Sequence, residues 1–375
     1  MSFCLLDGGL GTTIENVLKK NNGECIDHGF FSFNLCLEKK WLTLANIHMQ
    51  FLKNYSNCLF TAHYQASIPR LYKKINNLSD IWYLLKICYE IPKIIMQCYG
   101  QKDVNNNFPS VVISCGSMGT FFQDKIEYLS KDNHPLYKNN IFQSEIVEEY
   151  YKIQIKSLLS ISPESIFFET YSLYEEIKIL IKILNNLSNY FPTNITFGIS
   201  ICCKNEEFTY GDNNIMEIYT LVKESNIFKY FGINCTHPKY ISGILSCLAK
   251  NDKEKSLEIV VKCNRGDVLY RDGFPYIEKG AKLFYEYINE WNNILPLAGV
   301  GGCCGVMPKD IKELYRRRNS FDNITENQRM VEDEDLKFLI EKVVEDSESF
   351  CENKNLGIEI KELDKFFQLM KDKGY

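Results

Sequence analysis

Short runs of apolar residues alternate along this chain with longer stretches whose apolar positions recur every three to four residues. Eight runs carry the first pattern, at residues 3–9, 58–64, 110–116, 165–170, 195–200, 230–235, 257–263 and 295–302. Each is nearly continuously apolar and rich in β-branched or aromatic side chains, as expected of strands buried on both faces of a parallel sheet. Helical periodicity fills the intervals, at 40–55, 80–99, 143–159, 173–187, 214–227, 238–250, 276–292 and 309–318. In the first of these, Leu42, Leu44, Ile47, Phe51 and Leu52 share one broad face. Pro92 predicts a bend or break in the second. Eight strand–helix units in strict alternation predict an α/β fold, a (β/α)8 TIM-type barrel. An open doubly wound sheet is the nearest alternative. The turn Gly8-Gly9-Leu10-Gly11 after the first strand is not the GxGxxG that fold would use for a dinucleotide.

The pattern changes after about residue 320. The run Glu332-Asp333-Glu334-Asp335 leads into two further helical patterns, 335–344 and 358–370. The chain therefore divides into a barrel over 1–319 and a charged helical C-terminal extension over 320–375. Phe338, Leu339, Val343, Val344, Phe366, Phe367 and Leu369 make the extension apolar enough to cover the outer helices.

Composition changes the picture in three places. A hydrophobic fraction of 45% over 375 residues suffices for a large core. The net charge of −5 gives no electrostatic argument for nucleic acid, and Arg316-Arg317-Arg318 read as the solvated end of a helix. No apolar run reaches the roughly 20 residues needed to cross a membrane, and with 3–9 already a core strand no leader is expected. Fifteen cysteines, without the spacing of a disulfide scaffold, fit a reducing compartment, most simply the cytosol.

Barrel enzymes place their chemistry at the C-terminal ends of the strands. Those ends are Asp7, Tyr64, Ser114, Glu169, Ser200, Asn234 with Cys235, Asn264, and Cys303 with Cys304. Cys235 and the vicinal pair lie too far apart for a zinc finger but suit two strand ends at one mouth. Three thiolates hold a zinc ion and leave its fourth position open, the mark of a catalytic site. Neighbouring strand residues point to opposite faces, so Cys303 and Cys304 converge only if the chain leaves strand geometry there. Gly301, Gly302 and Gly305 permit that. The competing reading is small core cysteines in a tight turn, and Cys202-Cys203, without a glycine frame, is read that way. His237 is the rival ligand, although Pro238 after it marks a helix start. His48 and His63 read as helix-face and strand-end residues. Asp7 and Glu169 read equally well as turn or helix-starting carboxylates.

Six motifs in order, Asp7-Gly8-Gly9-Leu10-Gly11-Thr12, Tyr64-Gln65-Ala66-Ser67, Gly116-Ser117-Met118-Gly119, Phe168-Glu169-Thr170, Gly232-Ile233-Asn234-Cys235 and Gly301-Gly302-Cys303-Cys304-Gly305, resemble the homocysteine S-methyltransferase family. The resemblance implies a zinc-bearing (β/α)8 barrel that methylates homocysteine to methionine from a sulfonium donor, S-methylmethionine or S-adenosylmethionine. It carries the Zn2+ ligands onto Cys235, Cys303 and Cys304. Tyr64 matches a tyrosine that can fill the open zinc position when substrate is absent, and Asp7 and Glu169 match carboxylates that hold the amino group of homocysteine. Asn234, at the same rim, is read as substrate-binding with them. The family pattern is departed from at Thr13, at Asn34-Leu35-Cys36 and at Arg265, where the loops are expected to shape the donor pocket. Two other classes stay open: a zinc-holding barrel without turnover, acting as a regulatory or scaffold protein, and a redox protein using Cys303-Cys304.

Overall fold

The structure is a computed structural model and describes residues 3–21, 30–100, 107–122, 126–138, 140–143, 145–254, 256–271, 274–278, 280–318, 333–351 and 357–375. Eight parallel strands form its centre: β1 (Cys4–Leu5), β2 (Leu59–Phe60), β3 (Val111–Gly116), β4 (Ser165–Tyr171), β5 (Thr196–Ile201), β6 (Tyr230–Asn234), β7 (Glu258–Cys263) and β8 (Leu297–Gly302). They pair in the order β1-β8-β7-β6-β5-β4-β3-β2, and a parallel bridge between Leu6 and Cys58 joins the two ends. The sheet is thus closed into the predicted (β/α)8 barrel.

Strand alternation sorts the side chains into two cores. Cys4, Leu6, Cys58, Phe60, Val112, Phe167, Tyr230 and Val260 fill the barrel. Their strand neighbours, such as Leu5, Leu59, Ile113, Phe168 and Val261, pack outward against the helices. The same parity carries Ser114, Glu169, Asn234 and Lys262 to the interior at the C-terminal end, two residues beyond Val112, Phe167, Gly232 and Val260. All four are buried.

Several boundaries differ from the sequence reading. β1 and β2 are only two residues long, because Gly8-Gly9 turns directly into the helix Leu10–Asn21 and Ala62–Gln65 form a 3-10 turn. The helix Leu78–Tyr99 runs through Pro92 as one element instead of breaking there. The helix expected over 276–292 is corrected: Val268–Arg271 and Phe274–Ile277 pair as an antiparallel hairpin, and only Ile288–Ile294 is α-helical.

The boundary expected at 319/320 lies outside the described residues. Beyond it, helices Asp333–Cys351 and Ile360–Asp372 lie over the barrel's outer helices. Leu336, Ile340, Leu363, Phe366 and Met370 are buried. Phe366 meets Phe121 edge-on at 5.2 Å between ring centroids, and Tyr375 meets Phe122 at 5.3 Å. Lys156 pairs with Glu362 at 2.7 Å and Lys365 with Glu149 at 2.8 Å. Among the described residues no helix is long and apolar enough to cross a membrane.

Candidate active site

Three backbone departures bring the cysteines together. Cys235 follows β6 with φ +48°, in the left-handed region, which turns it out of the strand's alternation. Cys303 and Cys304 follow β8 in a turn closed by Val306 N donating to Cys303 O at 3.1 Å, and Gly305 supplies the φ of +81° that a side chain would resist. The first motif is keyed into that turn. Gly9 N donates to Val306 O at 2.8 Å and Gly305 N to Thr12 Oγ1 at 3.2 Å. A Cβ on Gly9 would collide with the Cys303 carbonyl oxygen.

The three sulfurs lie within 4.8 Å of one another. Cys235 and Cys303 are joined as a disulfide across a Cα separation of 5.4 Å. Reduced, the cluster is an all-sulfur donor set of the kind zinc takes. His237 is not part of it: its Nε2 meets Gly266 O at 2.9 Å, and its Nδ1 accepts from Lys239 N at 3.2 Å as a helix cap. Cys202 and Cys203 are fully buried packing residues, as expected.

The cluster opens into a cavity of about 310 Å³. Asn234 ties its two strand ends together, donating to Thr170 Oγ1 at 2.6 Å and accepting from Thr170 N at 3.0 Å. Thr170 Oγ1 in turn lies 4.0 Å from Cys235 Sγ. Glu169, one residue earlier, lines the cavity and accepts from Ser114 Oγ. Asp7 lies behind it, wholly buried, with Oδ2 accepting from Phe60 N at 2.7 Å. Burial raises the Asp7 carboxyl to about 7, against the lowering by Lys262 and the Phe60 amide.

Tyr64 lines the cavity with its hydroxyl on Glu127 Oε1 at 3.2 Å, and burial pushes its phenol well up. The tyrosine hydroxyl that meets the sulfurs is Tyr128, 3.7 Å from Cys304 Sγ. Glu127 and Tyr128 come from the segment after β3, which shows no periodicity and gave no sequence signal. Lys262 was also missed. Its signal was parity: two residues after inward-facing Val260, a lysine must point into the barrel.

The departures from the family pattern face elsewhere. Thr13 Oγ1 turns back to Gly9 O at 3.0 Å, Asn34 Nδ2 donates to Glu38 at 2.7 Å, and Arg265 pairs with Asp267 and Asp310 at 3.4 Å each. None of these three lines the cavity, whose wall on that side is Glu15, Phe31 and Ser32.

The family model described as homocysteine S-methyltransferase matches residues 4–318. Homocysteine S-methyltransferase 3 of Zea mays is 24% identical over 324 residues, covering 84% of this chain and 90% of the relative. Homocysteine S-methyltransferase 2 of the same plant is 25% identical over 332 residues, covering 85% and 91%. Among solved structures, the metallated form of the Escherichia coli homocysteine methyltransferase MmuM superposes with a TM-score of 0.66 at 20% identity. It covers 84% of this chain and 96% of that one.

Proposed function

The chain belongs to the homocysteine S-methyltransferase family of enzymes, and on that premise we propose that it moves a methyl group from a sulfonium donor, S-methylmethionine or S-adenosylmethionine, to the thiolate of L-homocysteine. The observation that carries this reading is the convergence of three sulfurs from two strand ends on the floor of one cavity. Cys235, Cys303 and Cys304, once the disulfide is reduced, would hold Zn2+. Bound there, the ion supplies the charge that keeps the acceptor thiol, with a free pKa of about 8.5, ionised at neutral pH.

The rest of the cavity positions the reactants. Glu169 presents its carboxyl group at the acceptor end, with Asp7 buried behind it, and Asn234 fixes the cysteine-bearing strand end against Thr170. Glu15 and Glu127 line the cavity too, and their carboxylates favour a cationic donor. Tyr64 and Tyr128 line the cavity with the sulfurs, and the Tyr128 hydroxyl lies 3.7 Å from Cys304 Sγ. In the transfer, the acceptor sulfur attacks the methyl carbon in line. The new S–C bond forms as the donor's C–S bond breaks, a neutral thioether leaves, and the acceptor's thiol proton goes to solvent. Opposite charges cancel along the way, so the chain needs no general acid, and its contribution is proximity and orientation.

In this reading the barrel of 1–319 carries the reaction and the extension of 320–375 lies outside it. A cytoplasmic, reducing setting is the one that keeps the ligands as thiols. The test is metal analysis of protein purified under reducing conditions, together with methionine formation from homocysteine and each donor. About one zinc per chain and methionine from at least one donor is the expected result. Zinc without turnover would favour the regulatory or scaffold reading, and protein that takes up no zinc would remove the metal site.

A further inference from the structure

The acceptor end of the cavity already contains an ammonium group. Lys262 is the inward-facing residue near the end of β7, buried to 7% exposure. Its Nζ lies 3.1 Å from Glu169 Oε1 and 3.7 Å from Asp7 Oδ1. It also sits 3.3 Å above the centroid of the Phe60 ring. Glu169 and Lys262 line the cavity with the three cysteines. The other oxygen of each carboxylate is engaged, Asp7 Oδ2 by Phe60 N and Glu169 Oε2 by Ser114 Oγ. Asp7 Oδ1 has Lys262 Nζ as its charged neighbour, and Asp7 does not line the cavity.

Glu169, a buried carboxyl group in the cavity that holds the sulfurs, with Asp7 behind it, is suited to hold the α-ammonium of an amino-acid thiol. Here the protein's own side chain fills that role. An incoming ammonium would have to displace a tethered one from Glu169, or share Glu169 with it at like-charge cost. We propose that Lys262 is a specificity-determining residue that substitutes for the acceptor's ammonium, so that this cavity takes thiol carboxylates lacking an α-amino group as readily as it takes homocysteine. The inference rests on the acceptor-site reading of the proposed function. It concerns which groups of the acceptor are recognised, not whether a methyl group moves.

The test compares two probes on the zinc-loaded, reduced protein by calorimetry: L-homocysteine and 4-sulfanylbutanoate, which is homocysteine without its amino group. Any bond made by the thiolate is common to both and cancels in the ratio of their Kd values. In the unsubstituted protein the two should bind within about threefold of each other, whereas a charge-assisted hydrogen bond to the ammonium would be worth about tenfold or more. Lys262→Gln should open that gap, with homocysteine tighter by about tenfold or more. A preference of that size for homocysteine in the unsubstituted protein overturns the inference. So does a ratio that Lys262→Gln leaves unchanged, and so does the failure of both thiols to bind at millimolar concentration. The ratio in the unsubstituted protein decides the matter even if Lys262→Gln does not fold. A protein that binds both thiols but methylates neither counts against the proposed reaction alone.

Discussion

Asp7→Asn should stabilise the protein relative to wild type progressively as pH rises. Asp7 is wholly buried, and desolvation lifts its carboxyl from 3.8 to about 7 even though Lys262 and the Phe60 amide favour the charge. A folded-state value above the unfolded one means that the folded chain binds the proton more tightly. Stability is therefore greatest below the unfolded value, falls as pH rises between the two, and has lost the whole contribution above the folded one. A shift of this size corresponds to roughly 4 kcal/mol in all, and about 3 kcal/mol of it falls between pH 5 and 8.5. The asparagine retains an oxygen for Phe60 N and cannot ionise. Its loss of attraction for Lys262 is a constant offset wherever Lys262 and Glu169 stay charged. Urea unfolding of both proteins, followed by tryptophan fluorescence at steps across that window under reducing conditions, reads the difference. Titration of the cysteines and of other buried acids is shared by the two proteins and largely cancels. The difference in stability should grow by about 3 kcal/mol in favour of Asp7→Asn from pH 5 to 8.5. A flat difference, or one that shrinks as pH rises, refutes the reasoning.

Three further outcomes are expected. Cys304→Ala should lose most of its zinc in metal analysis, while His237→Ala should keep it and lose only about 1 kcal/mol of stability with its helix cap; the reverse pattern would exchange their roles. Tyr128→Phe, which removes the hydroxyl beside Cys304 Sγ, should weaken zinc retention about tenfold in a chelator competition, and unchanged retention would leave the contact without consequence. Phe366→Ala empties a fully buried site in the extension and should cost about 3–5 kcal/mol in urea unfolding; a cost under about 1 kcal/mol would show the extension to be loosely attached.

The barrel was legible because each strand is a short apolar run with a helical period behind it. The three cysteines were legible because glycines bracket two of them and the third ends a strand. What escaped had physical reasons. β7 reads as an apolar run, and only the parity of Val260 and Lys262 reveals that its one basic residue points inward. Glu127 and Tyr128 are placed by the fold of a long connection whose sequence has no period. The hairpin at 268–277 flanks Asp272-Gly273, a strong hairpin signal that a search for helical period passes over. Thr13 and Arg265 stand out as departures from a family pattern, yet their side chains are held by Gly9 O and by Asp267 and Asp310, away from the cavity.

The docking of the last helix has a consequence for synthesis. Domains begin to fold as they emerge from the ribosome, N-terminal part first. All eight strands and all three cysteines precede residue 305, so the barrel can close while the extension is still being translated. Phe121 and Phe122, just upstream of the stretch that carries Glu127 and Tyr128, receive their partners Phe366 and Tyr375 only after the whole barrel sequence has been made. A chain cut short before Phe366 would leave Phe121 without that edge-on partner. That contact of the β3 connection thus depends on the extension having been made.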